Sequence, residues 1–322
     1  MKILITGGAG FIGSHLADFY LKKSDEVRII DDLSTGSEQN ITQFKDNSAF
    51  SFVNVDLLNY QELSDDIKWA DRIYHMAAVV GVKRVLEDPL RVLMCNINGC
   101  ERLLKTMFQS GSKAKVILAS SSSVYGHATP APQSEKNDIS IDAKMDKLWS
   151  YALSKIVNET YGLSYYRTKH LPVIIARLFN CIGPRQTGQY GMVVPTFVTS
   201  AIQGDSITIF GDGNQTRSFC DVRDTVTMLT LLADTDKCIG EIINVGNDRE
   251  ISMNDLAKLV IKETNSSSSI KHIPYREAYG EDFVDVMSRR PDLTKLHQLI
   301  DFKPRWRLEE TIREMAKLTS MV

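Results

Sequence analysis

A parallel α/β sheet covered by helices on both faces is the fold class this sequence predicts, and three observations carry it. Short, almost purely apolar runs alternate with amphipathic stretches through the first half of the chain. The first run, "KILIT", leads straight into "GGAGFIG" and a helix-compatible stretch. The second, "EVRIID", closes on an acid, Asp31.

Each element follows in order. "KILIT" is a buried strand, and a helix begins at about Phe11. "EVRIID", then "FSFVNVD" after a loop, then "DRIYHMA" continue the strands. A long helix is expected between about Asp88 and Gln109, followed by the strand "AKVILASSS". A further helix runs from roughly Lys147 to Thr168, before the strand "VIIARLF". After Asn180 the texture changes to a glycine and proline loop, "GPRQTGQYG", with short strands such as "SITIF" and "FCDV" among helices. Residues 1–180, joined by roughly 219–250, are expected to form the nucleotide-binding domain. Residues 181–218 and 251–322 would form a smaller α/β substrate-binding lobe. There is no internal repeat, and "NSSSSI" reads as a surface turn.

Bulk properties exclude several classes. The 322 residues are 43% hydrophobic and 24% charged, as in an ordinary globular protein. A net charge of -2 gives no reason to expect nucleic acid or an anionic membrane as partner. The five cysteines show no CxxC, which argues against a disulfide framework or zinc knot and for a reducing compartment. The six histidines form no HxxxH pair, so no metal site is expected. The chain enters its first strand at once, without a signal peptide or apolar span, and a cytoplasmic location is expected.

The glycine turn holds Gly7, Gly10 and Gly13, with Phe11 and Ile12 between the last two. A tight strand–helix turn alone could use these glycines. A pyrophosphate needs them too, because backbone must approach it closely and a helix N-terminus must offer free N–H groups. Asp31 stands where a carboxylate accepts from both adenosine ribose hydroxyls. It would repel a 2′-phosphate, and no arginine follows closely, so NAD is expected over NADP. The unit is therefore a Rossmann-type doubly wound sheet. Asp56 and Leu57, at the end of the third strand, fall where the adenine edge would lie, although a strand-end aspartate can also be simply solvated.

"YALSK" sets Tyr151 and Lys155 four residues apart, on one face of a helix. Such a pair is commonly structural, yet beside a nucleotide fold it has a chemical use. Bringing a tyrosine from its usual pKa near 10 to about 7 takes roughly 4 kcal/mol of phenolate stabilisation. A lysine ammonium and a bound nicotinamide cation could supply it together. The tyrosine could then take a proton from an alcohol that loses hydride.

Together, "TGGAGFIGSHL", "DDLSTG", "HMAA", "SSSSVYG", "YALSK", "RLFNCIGPRQ" and "GDGNQTRSF" resemble the extended short-chain dehydrogenase/reductase family, in particular its nucleotide-sugar epimerases and dehydratases. The similarity runs from Met1 to about Trp306. It implies an NAD that is reduced and reoxidised within one turnover. Tyr151 would be the base, with Lys155 holding the nicotinamide ribose. Ser121, or less readily Ser122, would bond the sugar hydroxyl that becomes a ketone. Ala77 and Ala78 would line the cofactor, with Asn96 close behind. Asn180 and Arg217 match positions that grip the substrate pyrophosphate. Arg185 and Arg290 are further phosphate candidates, since arginine forks suit phosphate oxygens and surface ion pairs alike. Cys181 departs from the residues expected after "RLFN" and reads as a small buried side chain. The family also implies a homodimer through the helices ending near Gln109 and Thr168.

The serine run narrows the reaction. Family 4,6-dehydratases place an acid pair before "VYG", and family decarboxylases keep the second acid. Here those positions are Ser122 and Ser123. Serine can hydrogen-bond a hydroxyl or ketone but is no general acid or base near neutral pH. Ser121, Tyr151, Lys155 and NAD are enough to oxidise C4 and return hydride to its other face, so a 4-epimerase of a nucleotide sugar, UDP-linked first, is the expectation. Two alternatives stay open. A dehydratase or UDP-glucuronate decarboxylase could draw a carboxylate from Glu135, Asp138 or "IDAKMD", and "RRPDLTKL" looks more like the decarboxylase branch. A non-catalytic dinucleotide sensor would be expected to lack the Tyr/Lys pair.

Overall fold

Five of the six expected first-half strands are nearly free of charge, and they stack in a single sheet. The computed structural model describes residues 1–139, 141, 149–188, 191–279 and 286–320. Its strands are β1 (Lys2–Thr6), β2 (Glu26–Asp31), β3 (Phe50–Asn54), β4 (Arg72–His75), β5 (Lys115–Ser121) and β6 (Val173–Leu178). A seventh, Ile242–Val245, completes the order Ile242–Val245, β6, β5, β4, β1, β2, β3, with every pairing parallel. This is the doubly wound sheet the alternating pattern predicted. The seventh strand went unpredicted because "IINV" is four residues between turns, too short to show a period.

β1 pairs with both β2 and β4, so the strand order reverses there and a crevice opens at the strands' carboxyl ends. Helix Phe11–Leu21 leaves β1 through Gly10, which caps it without a side-chain hydrogen bond. Its first N–H groups are therefore left for a ligand. On one face of the sheet Ile3, Ile5, Leu16, Ile29, Ile117 and Ile174 pack with helix Val222–Asp234. On the other, Leu4, Ile73, Val116 and Ile175 meet Leu103, Leu104 and Met107 of helix Pro89–Gln109. Each such side chain contributes about 1.5–3 kcal/mol on burial.

Helix Pro89–Gln109 starts as its sequence dictates, with Asp88 accepting from the Arg91 N–H at 2.9 Å and proline in the first turn. It lies against helix Trp149–Lys169. Lys147, the expected start of the second helix, lies outside the described residues.

A separate core holds Phe197, Val198, Leu256, Val260, Ile312 and Met315, from helices Val193–Gln203, Met253–Glu263 and Leu308–Thr319. "SITIF" and "FCDV" contribute the strands Ile207–Phe210 and Cys220–Asp221. Thr216–Ser218 forms a small sheet with Glu250–Ser252 and Ser288–Arg289. Leu293, Leu296, Ile300 and Phe302 leave this lobe and join the main sheet's core. No helix among the described residues is long and apolar enough to cross a membrane.

Candidate active site

A cleft of about 1530 Å³ runs along the carboxyl ends of the strands and on between the sheet and the second core. At one end its floor is the glycine turn. Gly7 has φ +71°, and a Cβ there would stand 2.5 Å from the Ala77 nitrogen. A Cβ on Gly13 would stand 2.3 Å from the Gly7 oxygen. Both positions are closed to any larger residue, so the turn stays tight against the strand next door. Gly10, Phe11 and Ile12 line the cleft beside them.

Asp31 closes β2 and accepts the Ala9 N–H at 3.0 Å and the Leu33 N–H at 2.8 Å. Burial raises its pKa, and those N–H groups oppose the rise. Asp56 accepts from the Leu58 N–H at 2.9 Å and lines the cleft with Leu57, Ala77 and Ala78. Asn96 reaches the cleft only indirectly. It is 1% exposed, takes the Val79 N–H at 2.7 Å and gives a bond to the Ser154 hydroxyl at 3.1 Å. It fixes the backbone just after Ala77 and Ala78.

At the other end stand the hydroxyls. Ser121 lies close enough to Tyr151 to act on the titration of its hydroxyl. The Lys155 ammonium donates to the Ala119 carbonyl at 2.8 Å and lies 5.8 Å from the Tyr151 ring centre. Burial pulls Lys155 down to about 8, against opposing influences from Cys100 and Glu159. Burial also raises Tyr151, with Ser121 opposing it. The protein groups alone therefore leave Tyr151 above its ordinary range, and the expected joint action of lysine and bound nicotinamide cation needs the cofactor in place. In a dry site desolvation outweighs an ammonium held on a carbonyl, and the remaining help has to come from a bound cation.

The serine turn is pinned at both ends. The Ser120 hydroxyl donates to Glu159 at 2.6 Å, and Arg177 holds that carboxylate with bonds of 2.8 and 2.7 Å. The Tyr125 hydroxyl donates to Asn244 at 2.7 Å. Between these anchors Ser121 caps the tight turn Ser122–Tyr125, accepting the Ser123 N–H at 3.2 Å. Ser122 is 4% exposed, and the buried Ser123 hydroxyl has no hydrogen-bond partner among the described residues. Sequence reasoning missed Glu159 and Arg177. Tyr151, Lys155 and Glu159 repeat at four-residue steps on one helix face, a signal that could have found the first.

Among the described residues no carboxylate lines this end: Glu159 sits behind Ser120 in its ion pair with Arg177, and the carboxylates lining the cleft are Asp31, Asp32 and Asp56, all at the glycine-turn end. Glu135 spends its carboxylate on the Asn244 N–H at 2.7 Å, and Asp138 does not line the cleft. Asp142 and Asp146 of "IDAKMD" lie outside the described residues.

The candidate phosphate ligands separate. Asn180 lines the cleft and donates to the Ser218 carbonyl at 2.9 Å. Arg217 lines it too, with Nη1 bonded to the Thr216 and Val286 carbonyls at 2.7 Å each. Arg185, at φ +68°, also lines the cleft, 6.0 Å from the Phe44 ring centre, with Nη1 buried and without a described partner. In the pair Arg289–Arg290 the cleft wall carries Arg289, whereas Arg290 lies 3.3 Å from Glu250. Alternation along the short strand Ser288–Arg289 sends neighbouring side chains to opposite faces, which a sequence motif alone does not resolve.

Comparison with known proteins converges on this geometry. The family described as GDP-mannose 4,6 dehydratase matches residues 4–315. The chain belongs to that family of extended short-chain dehydrogenases/reductases. A UDP-N-acetyl-alpha-D-glucosaminuronate decarboxylase of Bacillus cytotoxicus is 38% identical over 314 residues, covering 97% of this chain and 96% of the relative. UDP-glucuronic acid decarboxylase 1 of Xenopus tropicalis is 32% identical, covering 97% of this chain and 70% of that protein. The crystal structure of UDP-glucuronic acid 4-epimerase from Bacillus cereus, with UDP-glucuronic acid and NAD, superposes at a TM-score of 0.88. It is 29% identical and covers 100% of this chain and 99% of its own.

The family is NAD-dependent, and the residues here suit that cofactor. The fit rests on a turn that admits no Cβ, an uncapped helix start behind it, and a buried carboxylate at the next strand end. This family member is thus an enzyme of nucleotide-sugar chemistry.

Proposed function

We propose that the protein is an NAD-dependent decarboxylase of a UDP-linked uronic acid, working through a ketone at C4. The observation that carries this reading is the hydroxyl-lined end beside Tyr151 and Lys155, which no carboxylate among the described residues lines. Bound NAD supplies hydride uptake and return. Tyr151 takes the C4 hydroxyl proton, Ser121 holds that oxygen, and Lys155 supports the tyrosine and the cofactor ribose. Asp31 selects the unphosphorylated ribose. Arg217 and Asn180 hold the substrate pyrophosphate, and Arg289 extends that grip.

Once C4 is a ketone, the C6 carboxylate is β to it. The C5–C6 bond can then break with its electrons drawn into the carbonyl, and no base is required for that cleavage. Dehydration differs, because a base must remove the C5 proton and an acid must assist the departing hydroxyl. Serines at 122 and 123 therefore oppose dehydration far more than decarboxylation. They also place no negative charge against the substrate carboxylate.

A 4-epimerase, the expectation from the serine turn alone, has less support, since the relatives named above at 38% and 32% identity are decarboxylases. It keeps one specific observation in its favour, the near-identical fold of a UDP-glucuronic acid 4-epimerase. Both readings pass through the same ketone and differ in its fate. A homodimer belongs to the same proposal, with Leu90, Met94 and Phe108 of helix Pro89–Gln109 left 70%, 60% and 44% exposed. The test is incubation with UDP-glucuronic acid and with its N-acetylated amino counterpart. Carbon dioxide release from either supports the proposal, whereas a C4-inverted acid of unchanged mass contradicts it.

A further inference from the structure

Decarboxylation leaves an enolate whose C5 must be given a proton, and the side chain best placed to give it is not among the acids already considered. We propose that His127 is that proton donor; the inference rests on the decarboxylase reading above. Gly126, at φ +66°, bonds its N–H back to the Ser123 carbonyl at 3.1 Å and folds the chain over the serine turn. His127 follows, half-buried and lining the same cleft as Ser121, Ser123 and Tyr151. Its ring stacks on Trp149, with centres 6.0 Å apart and planes 21° apart. Trp149 opens the helix that carries Tyr151 two residues later. The imidazole is thus bracketed by the serine turn on one side and the catalytic helix on the other.

Neither ring nitrogen has a hydrogen-bond partner among the described residues, so both face cleft or solvent. The other titratable groups of this end are committed or unsuited. Tyr151 must protonate the C4 oxygen, Lys155 is held on Ala119, and burial keeps the Cys181 thiol well above its ordinary range. Imidazole is the side chain suited to giving and regaining a proton near neutral pH.

The step balances. The C5–C6 bond breaks, carbon dioxide leaves, and the electron pair enters the C4 carbonyl as an enolate. The enolate re-forms the ketone as C5 takes the imidazolium proton, and the imidazole regains a proton from water. Hydride return to C4 then completes the pentose.

The test uses the NAD-loaded enzyme and its two conservative variants His127→Asn and His127→Gln, with UDP-uronic acid in D₂O. The unmutated enzyme should release carbon dioxide and place one deuterium at C5 in a single configuration. The variants should still release carbon dioxide but form pentose about tenfold more slowly or worse. In them the enol should instead be protonated by solvent, partly after release as the 4-keto pentose nucleotide, and lose the single configuration at C5, which a merely structural role would not scramble. Variants with normal rate and normal C5 configuration would overturn the assignment. So would the same signature appearing instead in Asp142→Asn or Asp146→Asn. If the unmutated enzyme releases no carbon dioxide from any UDP-uronic acid, the decarboxylase reading itself fails, and this inference with it.

Discussion

The two ends of the cleft are built from opposite chemistry. The glycine-turn end fixes carboxylates, Asp31 and Asp56, on backbone N–H groups and meets its ligand with main chain and negative charge. The sugar end offers hydroxyls, a buried ammonium and arginines, and no carboxylate among the described residues. The contrast teaches that one scaffold separates recognition from reaction. Under the proposed function, charge at the first end would select the cofactor, and the lack of a carboxylate among the described residues at the second would decide which bonds can break.

The sharpest way to break the comparison is at Tyr151. Tyr151→Phe should keep cofactor and substrate binding while kcat falls by about 10²–10⁴-fold. A near-normal kcat would remove the tyrosine from the chemistry altogether.

Next comes the division between the arginines. Arg217→Ala should raise KM for the nucleotide sugar by roughly 10–100-fold, as loss of a charged hydrogen bond does. Arg290→Ala, away from the cleft wall, should change KM by less than about threefold, in keeping with an ion pair to Glu250 that does not line the cleft. Steady-state kinetics on both variants decides it, and the reverse ranking would contradict the placement.

At the other end the effect is smaller. Asp31→Ala should narrow the preference for NAD over NADP by about tenfold, since it removes one charge–phosphate repulsion. Titration calorimetry with both cofactors reads the change. Equal affinities in the unmutated protein would count against the role of Asp31.

The smallest effect concerns stability. Lys155 is lowered to about 8 from 10.5, so its charged form is penalised in the fold. That penalty is full below pH 8 and vanishes above the unfolded lysine's range. Lys155→Met, though catalytically crippled, should therefore stabilise the cofactor-free protein by roughly 1–3 kcal/mol at neutral pH, less the cost of stranding the Ala119 carbonyl. The gain should fade as pH rises from about 8 toward 10.5. Denaturant melts across that range test the sign.

Much of this was legible in the sequence, and for physical reasons. Buried parallel strands must be apolar throughout, so "KILIT" and "VIIARL" announced themselves, and a turn that admits no Cβ must be glycine. Ile242–Val245 was not legible, because a four-residue strand carries no period. Nor was the choice between Arg289 and Arg290, which depends on which face of a two-residue strand meets the cleft. The serine turn exposed the missing acid but not its consequence. The epimerase expectation rested on decarboxylation needing an acid or base beyond Tyr151, whereas cleavage of a ketone β to a carboxylate needs only an electron sink, with an acid wanted later. His127 was not legible because its stacking on Trp149 follows no periodic sequence spacing.

Whether a C4 ketone loses carbon dioxide in this cleft, where no carboxylate among the described residues lines the end beside Tyr151, is decided by one turnover experiment. UDP-uronic acid carrying deuterium at C4 is converted in ordinary water, and the product is read by mass and NMR. The account predicts a pentose nucleotide that has lost carbon dioxide, kept its C4 deuterium and gained a C5 hydrogen from solvent. A uronic acid nucleotide of unchanged mass, inverted at C4 with its deuterium retained, would contradict it.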